Sequence, residues 1–138
     1  MASNAARNRP LLTDAALQAR LGELYAAIDQ FNRGWYFEAH ETLEALWLVA
    51  PEPDRTFLQG IIQLAAAFVH LARGERTGFM KLLDAAEGRL RPFAPGRHGV
   101  DGARLLEAIE RWRAEPAPGE ESAWDTPPLI AIETPTDG

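Results

Sequence analysis

The 138-residue sequence contains no cysteine. Disulfide bonds, thiolate metal ligands and cysteine nucleophiles are therefore excluded, and nothing points to an oxidising compartment. The sequence also lacks a long apolar run, because the longest one, IIQLAAAFVHLA at residues 61–72, is interrupted by Gln63 and His70. A membrane-spanning helix needs about 20 apolar residues, so this run predicts a buried core helix and no membrane partner.

Positive charge is in short supply. Lys and Arg total 14 against 20 Asp and Glu, which gives a net charge of −6. An acidic protein repels nucleic acid and anionic lipid, so neither is an expected partner. Residues 1–21 hold no apolar segment typical of a secretory signal, and a cytoplasmic protein is the simplest interpretation. The arginines gathered late in the chain are interpreted as part of a solvated helix face.

Sustained alternation of apolar and polar residues is also missing, whereas apolar residues recur at spacings of three and four. The sequence therefore predicts an all-α fold, a single bundle of four to five helices separated by prolines and glycines. Thr13 or Asp14 is expected to cap the first helix and Asp101 the last, since side-chain oxygens accept free N–H groups at a helix start. The predicted helices cover residues 14–31, 35–49, 55–73, 77–90 and 101–113.

The length favours one domain. Residues 1–12 are predicted to be a flexible arm, residues 13–115 the helical domain, and residues 116–138 a proline-rich tail that is partly docked or disordered. Trp124 and the segment 129–132 favour docking, because large apolar side chains are costly to leave in water.

A weak internal repeat runs through the helical region. RGWYFEAHETLEAL begins at Arg33 and RGERTGFMKLLDAA begins at Arg73, forty residues later. Each copy places an Arg-Gly pair between two predicted helices and has a proline after the second. This layout is typical of antiparallel helical hairpins and loosely resembles the tetratricopeptide pattern. We use it as a prediction of packing and not of peptide binding.

A polar cluster interrupts the apolar pattern of the second predicted helix, in EAHETLEALW at residues 38–47. At about 100° per residue, His40 and Glu44 form an i, i+4 pair that faces the core side. Glu41 flanks this pair, and Glu38 is expected to point to water at the helix start, where a carboxylate suits the helix dipole.

A second polar stripe follows on the next predicted helix, where Gln59, Gln63 and His70 share one side. A short loop joins the two helices, so they are expected to be antiparallel neighbours. Gln63 is then a predicted hydrogen-bond partner of Glu41 or Glu44, because buried polar groups need partners. The simplest interpretation is a structural clasp between the two helices.

Two chemical alternatives remain open for this cluster. In one, Glu44 orients His40 for acid–base, hydrolase-like catalysis. In the other, the cluster holds a divalent metal ion, as helical bundles can do with inward-facing Glu and His. The sequence supplies only one histidine locally, unlike the HExxH motif of zinc proteases. The candidate metal ligands are His40, Glu41, Glu44 and His70.

The remaining aromatic and histidine residues have plainer interpretations. His98, beside Arg97 in a loop rich in proline and glycine, is expected to be solvated. The aromatic residues at the first Arg-Gly turn are expected to serve as core and cap rather than as a ligand cage. They are Phe31, Trp35, Tyr36 and Phe37.

Two long motifs in order, FNRGWYFEAHETLEALW and then FLQGIIQLAAAFVHLARGERTGFMKLL, resemble the domain-of-unknown-function 309 family over residues 31 to about 90. The family pattern is F-N-x-G-x-[YF]-[YF]-E-A-H-E-x-L-E-x-x-W, then F-L-Q-G-[LI]-I-Q-L-A-A-A. Family members often have a Gly-Ala pair where this chain has Gly78 and Phe79. The resemblance implies a small all-helical bacterial or archaeal domain with no assigned activity. It implies these motif positions: Glu38, His40, Glu41, Glu44, Trp47, Gln59 and Gln63.

These observations predict a helical interaction or ligand-binding module, with a protein partner or a second copy as candidate partners. The alternative is a metal-dependent or acid–base enzyme that uses His40 and Glu44.

Overall fold

The computed structural model describes residues 10–114 and 128–132. Six α-helices lie in these ranges, with isolated β-bridges but no strand. The all-α prediction is confirmed. The helices are α1 Asp14–Ala19, α2 Leu21–Asn32, α3 Tyr36–Trp47, α4 Asp54–Ala72, α5 Arg76–Leu90 and α6 Gly102–Ala114, and a short 3-10 helix covers Arg91–Phe93.

The region 14–31, expected to be one helix, is broken at Arg20. The Arg20 backbone leaves the helical region, with φ −107° and ψ 7°, so α1 and α2 are separate and the described residues hold one helix more than expected. The Arg20 guanidinium is held by Glu23 at 2.6 and 2.7 Å. Leu17 and Leu21, on either side of the break, both reach the core.

The predicted helix caps are confirmed. Thr13 Oγ1 accepts the Ala16 N–H at 3.1 Å, at the start of α1. Asp101 Oδ1 accepts the Arg104 N–H at 3.0 Å, at the start of α6. Both oxygens satisfy N–H groups that have no partner within the helix.

The two Arg-Gly turns of the repeat have the same backbone structure. Gly34 and Gly74 have φ of 83° and 76°, a left-handed conformation that favours glycine. Each glycine N–H donates to the carbonyl three residues earlier, at 2.9 Å in both turns. The next N–H donates to the carbonyl five residues earlier, at 2.8 and 2.9 Å. This Schellman arrangement ends α2 and α4 in the same way, so the hairpins α2–α3 and α4–α5 repeat.

Helix α4 is the centre of the fold, with α3 and α5 packed against it. It is the helix of the described ranges that is long and apolar enough to cross a membrane, with a mean hydropathy of 1.2, yet 50% of that stretch is buried inside the protein. The sequence-based prediction of a buried core helix is therefore confirmed by its packing.

Phe68 of α4 joins the other helices through aromatic contacts. Its ring centroid lies 5.6 Å from Phe31 of α2, 5.3 Å from Phe79 of α5 and 5.1 Å from Trp112 of α6, each with edge-to-face geometry. Tyr36 of α3 stacks on it at 5.3 Å. Such pairs stabilise a core by about 0.5–1.5 kcal/mol each beyond the area they bury.

Part of the C-terminal region lies on this body. In the segment 128–132, Ile130 is 2% exposed and packs in the core, whereas Leu129 is 56% exposed. Trp124, which was expected to dock, lies outside the described residues, as do residues 1–9. The proposed domain boundaries stay predictions.

Candidate functional site

Helix α3 orients the EAHETLEALW residues differently from the helical-wheel prediction. The buried stripe consists of Ala39, Leu43 and Leu46, and His40 beside it is half-buried. Glu44 is exposed, so its predicted place on the core side is wrong. Glu44 directly follows the buried Leu43 and is turned by about 100° from it around the helix axis. This rotation places Glu44 outside the narrow contact with α4.

Two other acidic side chains of this motif also face water. Glu38 lies exposed in the first turn of α3, where its charge suits the positive end of the helix dipole, and Glu41 is exposed on the flank. The three glutamates therefore lie outside the contact between α3 and α4, and the buried residues of α3 are apolar.

The predicted clasp with the second stripe does not form in the described residues. Gln63 Oε1 is buried without a hydrogen-bond partner, and Gln63 makes no hydrogen bond to Glu41 or Glu44. Gln59 is half-buried on the same helix. Trp47 Nε1 is also buried and unpaired, while the Trp47 ring lies 4.2 Å from the Arg55 guanidinium. These motif residues contribute packing and a cation–π contact.

The candidate metal ligands do not form a cluster in the described part of the chain. No three His, Asp or Glu side chains there are grouped so that they could hold a metal ion. Of the candidate ligands, His70 lies beside Glu75 instead, with 2.9 Å between Nδ1 and Oε1 but at an angle that makes no hydrogen bond. His40 and Glu44, the candidate catalytic pair, do not face the same site. His40 lines a cavity, whereas Glu44 is exposed to water and does not line it.

A groove between the start of α3 and the end of α4 brings together His40 and His70. It consists of two adjoining cavities of about 170 and about 380 Å³, which share Phe37, Val69 and Arg73. We call it the α3–α4 groove. The smaller cavity is lined by Phe37, His40, Ala66, Val69, His70 and Arg73. The larger cavity is lined by Gly34, Trp35, Tyr36, Phe37, Glu38, Val69, Ala72 and Arg73.

Two aromatic side chains of this groove are open to water. Trp35 is 50% exposed and Phe37 is 53% exposed, so neither lies in the core, although Trp35 does occupy the N-cap position of α3. Phe31 and Tyr36 do belong to the interior, with 5.1 Å between their ring centroids. Tyr36 turns inward onto Phe31 and Phe68, whereas Trp35 and Phe37, on either side of it in the chain, face outward.

The groove combines one arginine and one glutamate with two histidines. His40, His70 and Arg73 line the smaller cavity, and Glu38 is the acidic residue of the larger one. Near its rim the Arg33 guanidinium lies 5.6 Å from the Trp35 ring centroid. Burial raises the pKa of the Tyr36 phenol above its ordinary value, so this side chain stays neutral at physiological pH.

Residues 24–82 match the family model described as a domain of unknown function, DUF309. This part of the chain is therefore similar to the DUF309 family. The resemblance seen in the sequence motifs is thus confirmed. The DUF309 segment contains most of α2, all of α3 and α4, and the first half of α5, so the whole α3–α4 groove lies inside it. A comparison with curated proteins found no match to this chain.

A buried ionic cluster was missed by the sequence reasoning. Asp54, the first residue of α4 in the DUF309 segment, is 4% exposed and accepts hydrogen bonds from Arg97 Nε at 2.5 Å and His98 Nε2 at 2.6 Å. The His98 side chain is only 11% exposed, so its predicted solvation is wrong. Tyr25 also donates to the His98 carbonyl at 3.0 Å. No local pattern signals a contact between residues more than forty positions apart.

The pKa of Asp54 reflects this cluster. Burial on its own raises the pKa, since it disfavours the charged carboxylate, but the hydrogen bonds and positive charges of Arg97 and His98 outweigh it. The net pKa lies below the ordinary value. Asp54 is therefore ionised at neutral pH and ties the loop before α6 to the start of α4.

Asn32 is a second residue that the sequence did not single out. It lies at the end of α2 in the DUF309 segment, and its side-chain amide both donates to and accepts from the main chain of Ile130. The FNRG motif contains this asparagine, but a polar residue at a helix end is too common to signal such a contact.

Proposed function

We propose that the DUF309 segment is a protein-interaction module, and that the α3–α4 groove binds a short acidic peptide segment with a large apolar side chain. The exposed rings of Trp35 and Phe37 would receive the apolar side chain. Arg73, which lines both cavities, would receive the acidic group.

The observation that carries this proposal is the difference between the two repeated turns. Trp35, after the first turn, has φ −90° and ψ 67°, and Glu75, after the second, has φ −94° and ψ 74°. Two residues further on, Phe37 and Thr77 are both exposed. The second turn thus forms with a polar residue at both positions. The fold does not need an aromatic residue at either position of the first turn.

Exposed aromatic rings beside a cavity are typical of binding surfaces. Complete burial of a large apolar side chain contributes about 1.5–3 kcal/mol of favourable free energy. A partner that covered Trp35 and Phe37 would therefore gain considerable binding free energy. Aromatic and arginine side chains also dominate the energetics of known interfaces. Arg73, shared by both cavities, supplies the arginine at the centre of this surface.

The arginine of the groove favours a partner with an acidic group. Arg73 lines both cavities, on a chain that carries a net charge of −6. A guanidinium forms strong, charge-assisted hydrogen bonds with a carboxylate. This preference makes binding weaken as salt is raised.

The test uses a displayed random-peptide library selected on the purified full chain, followed by titration calorimetry with the enriched synthetic peptides. A double variant with Trp35→Glu and Phe37→Thr copies the residues of the second turn. It should lose at least about tenfold in affinity, or 1.4 kcal/mol, with unfolding free energy changed by no more than about 1 kcal/mol.

The matched control removes exposed apolar side chains elsewhere. Leu11 and Leu48 are exposed away from the groove, and a double variant with threonine at both should bind the same peptides with unchanged affinity. The proposal fails if no peptide is enriched, or if the peptides bind the Trp35→Glu, Phe37→Thr variant as well as the wild type.

No specific observation in the described residues favours the acid–base or metal-dependent enzyme. Glu44 is exposed and makes no hydrogen bond to His40, and the candidate metal ligands do not cluster. A cytoplasmic location stays a prediction.

A further inference from the structure

The segment 128–132 is bound like a short β-strand on a protein that otherwise consists of helices. The Ile130 N–H donates to Asn32 Oδ1 at 2.8 Å, and Asn32 Nδ2 donates to the Ile130 carbonyl at 3.1 Å. On the other edge, the Asp101 N–H donates to the Ala131 carbonyl at 3.3 Å. Val100 and Ile132 form an antiparallel bridge.

The side chains of this segment alternate as in a strand. Pro128 and Ile130 are buried and Ile132 packs against the core, whereas Leu129, between Pro128 and Ile130, is exposed. Hydrogen bonds to the main chain of a bound strand contribute affinity that does not depend on its sequence. Pockets for every second side chain of the strand provide specificity. This site therefore recognises an extended segment with apolar side chains two residues apart.

The residues that hold the segment also have contacts that do not involve it. Asn32 ends α2, where the Schellman turn at Gly34 fixes the backbone. Val100 and Asp101 come directly before α6, and Asp101 is fixed because its carboxylate caps that helix. We call Asn32, Val100 and Asp101 the Asn32 clamp.

We propose that the Asn32 clamp is an exchangeable strand-binding site, and that it accepts residues 128–132 of a second copy in place of the chain's own. The segment itself defines the chemistry of the occupant. In sequence, 13 residues separate α6 from Pro128, and a chain of that length can span up to about 45 Å, enough to reach a neighbouring molecule. Exchange replaces each contact in the clamp with the same contact from the other copy.

The exchange between copies does not involve the α3–α4 groove. The clamp uses the end of α2 and the loop before α6, whereas the groove uses α3 and α4. Failure of one proposal therefore leaves the other standing.

The test combines two complementary variants of the full chain. Asn32→Ala breaks the clamp and keeps the segment, and Ile130→Asp breaks the segment and keeps the clamp. The chain has no cysteine, so Gln18→Cys on the exposed face of α1 gives each variant a single site for a donor or acceptor dye. A mixture of the two variants should show energy transfer, because one intact clamp then meets one intact segment.

Three controls make the result decisive. Neither variant mixed with itself should show transfer, nor should Asn32→Ala mixed with the Asn32→Ala, Ile130→Asp double variant. A synthetic peptide PPLIAIE, with the sequence of residues 127–133, should abolish transfer in the active mixture. Circular dichroism checks that each variant is folded, and Ile130→Ser replaces Ile130→Asp if the aspartate prevents folding.

The proposal is overturned if the folded variants show no more transfer together than apart. It is also overturned if the peptide binds the Ile130→Asp variant while the mixture shows no transfer, since the clamp would then take peptides without exchange between copies.

Discussion

Asp54 shows how a single carboxylate joins distant parts of this chain. It begins α4, yet its partners Arg97 and His98 belong to the loop that leads into α6. A buried carboxylate without partners would be very unfavourable. The hydrogen bonds from Arg97 and His98 offset the cost of burying the charge of Asp54. The charged atoms of this cluster fix the loop, and with it the clamp residues Val100 and Asp101, on the body of the protein.

Replacing Asp54 should therefore cost stability in a pH-dependent way. Asp54→Asn should lower the unfolding free energy by about 3 kcal/mol at pH 7, because Arg97 and His98 lose a buried charged partner. The folded pKa of Asp54 is lowered. Its contribution is thus complete above the unfolded value of about 3.9 and is lost as pH falls through the folded pKa. Urea unfolding at pH 7 and at decreasing pH should show the two proteins converging.

A matched surface carboxylate provides the control for this prediction. Asp84 pairs with Arg113 at 2.9 Å, but its side chain is 68% exposed. Asp84→Asn should change the unfolding free energy by no more than about 1 kcal/mol at any pH, since exposed ion pairs contribute little. A similar loss in both variants would contradict the cluster as the cause.

At this scale the sequence predicted some residues and not others. The caps at Thr13 and Asp101 were predictable because a cap is a contact within one turn. The exposure of Glu44 and Phe37 was not, because it depends on how wide the contact with α4 is. The burial of His98 depends on Asp54, which lies 44 positions earlier in the chain.

Helices are the scale at which the sequence was most informative. The predicted boundaries of α3, α4, α5 and α6 lie within one or two residues of those in the structure, because apolar periodicity and glycine or proline breaks are local signals. The break at Arg20 was missed, since neither a proline nor a glycine occupies that position. It forms where Leu17, before the break, and Leu21, after it, both reach the core.

The turn glycines give a direct test of the repeat. Gly74 has φ 76°, and an added Cβ would meet nothing within 4 Å, so only backbone strain opposes a side chain there. Gly74→Ala should lower the unfolding free energy by about 1–2 kcal/mol. Thermal and urea unfolding measure the change.

Gly88, inside α5, is the control for that substitution. An added Cβ there also meets nothing within 4 Å, but the backbone is helical. Gly88→Ala should stabilise the protein by about 0.5–1 kcal/mol, because alanine favours the helix. If Gly74→Ala were stabilising as well, the left-handed turn would not be the constraint described above.

The packing of the whole molecule follows from α4. Of the six helices described, it lies between α3 and α5 and carries Phe68, whose ring contacts four other helices. The hairpin arrangement could be predicted from the repeat. The positions of α6 and of the segment 128–132 could not, because they depend on single long-range contacts at Trp112, Asn32 and Asp54.

This arrangement predicts an order of local stability. Amides of α4 should exchange most slowly with solvent, at the rate set by global unfolding. Amides of α1, whose one buried residue is Leu17, should exchange much faster. The Ile130 amide should fall between them, because the clamp holds it by few contacts. Hydrogen exchange followed by NMR would contradict this order if Ile130 exchanged as slowly as α4.

The shared geometry of the two Arg-Gly turns has a consequence for valency. Since the backbone after Gly74 matches that after Gly34, the aromatic pair is portable: Glu75→Trp with Thr77→Phe would place two rings in the same relation to a second hairpin. A chain that carries both pairs would present two aromatic surfaces, one on each hairpin. The natural sequence carries an aromatic pair at one of two turns whose backbones match, so the number of such surfaces is set by two side chains and not by the fold.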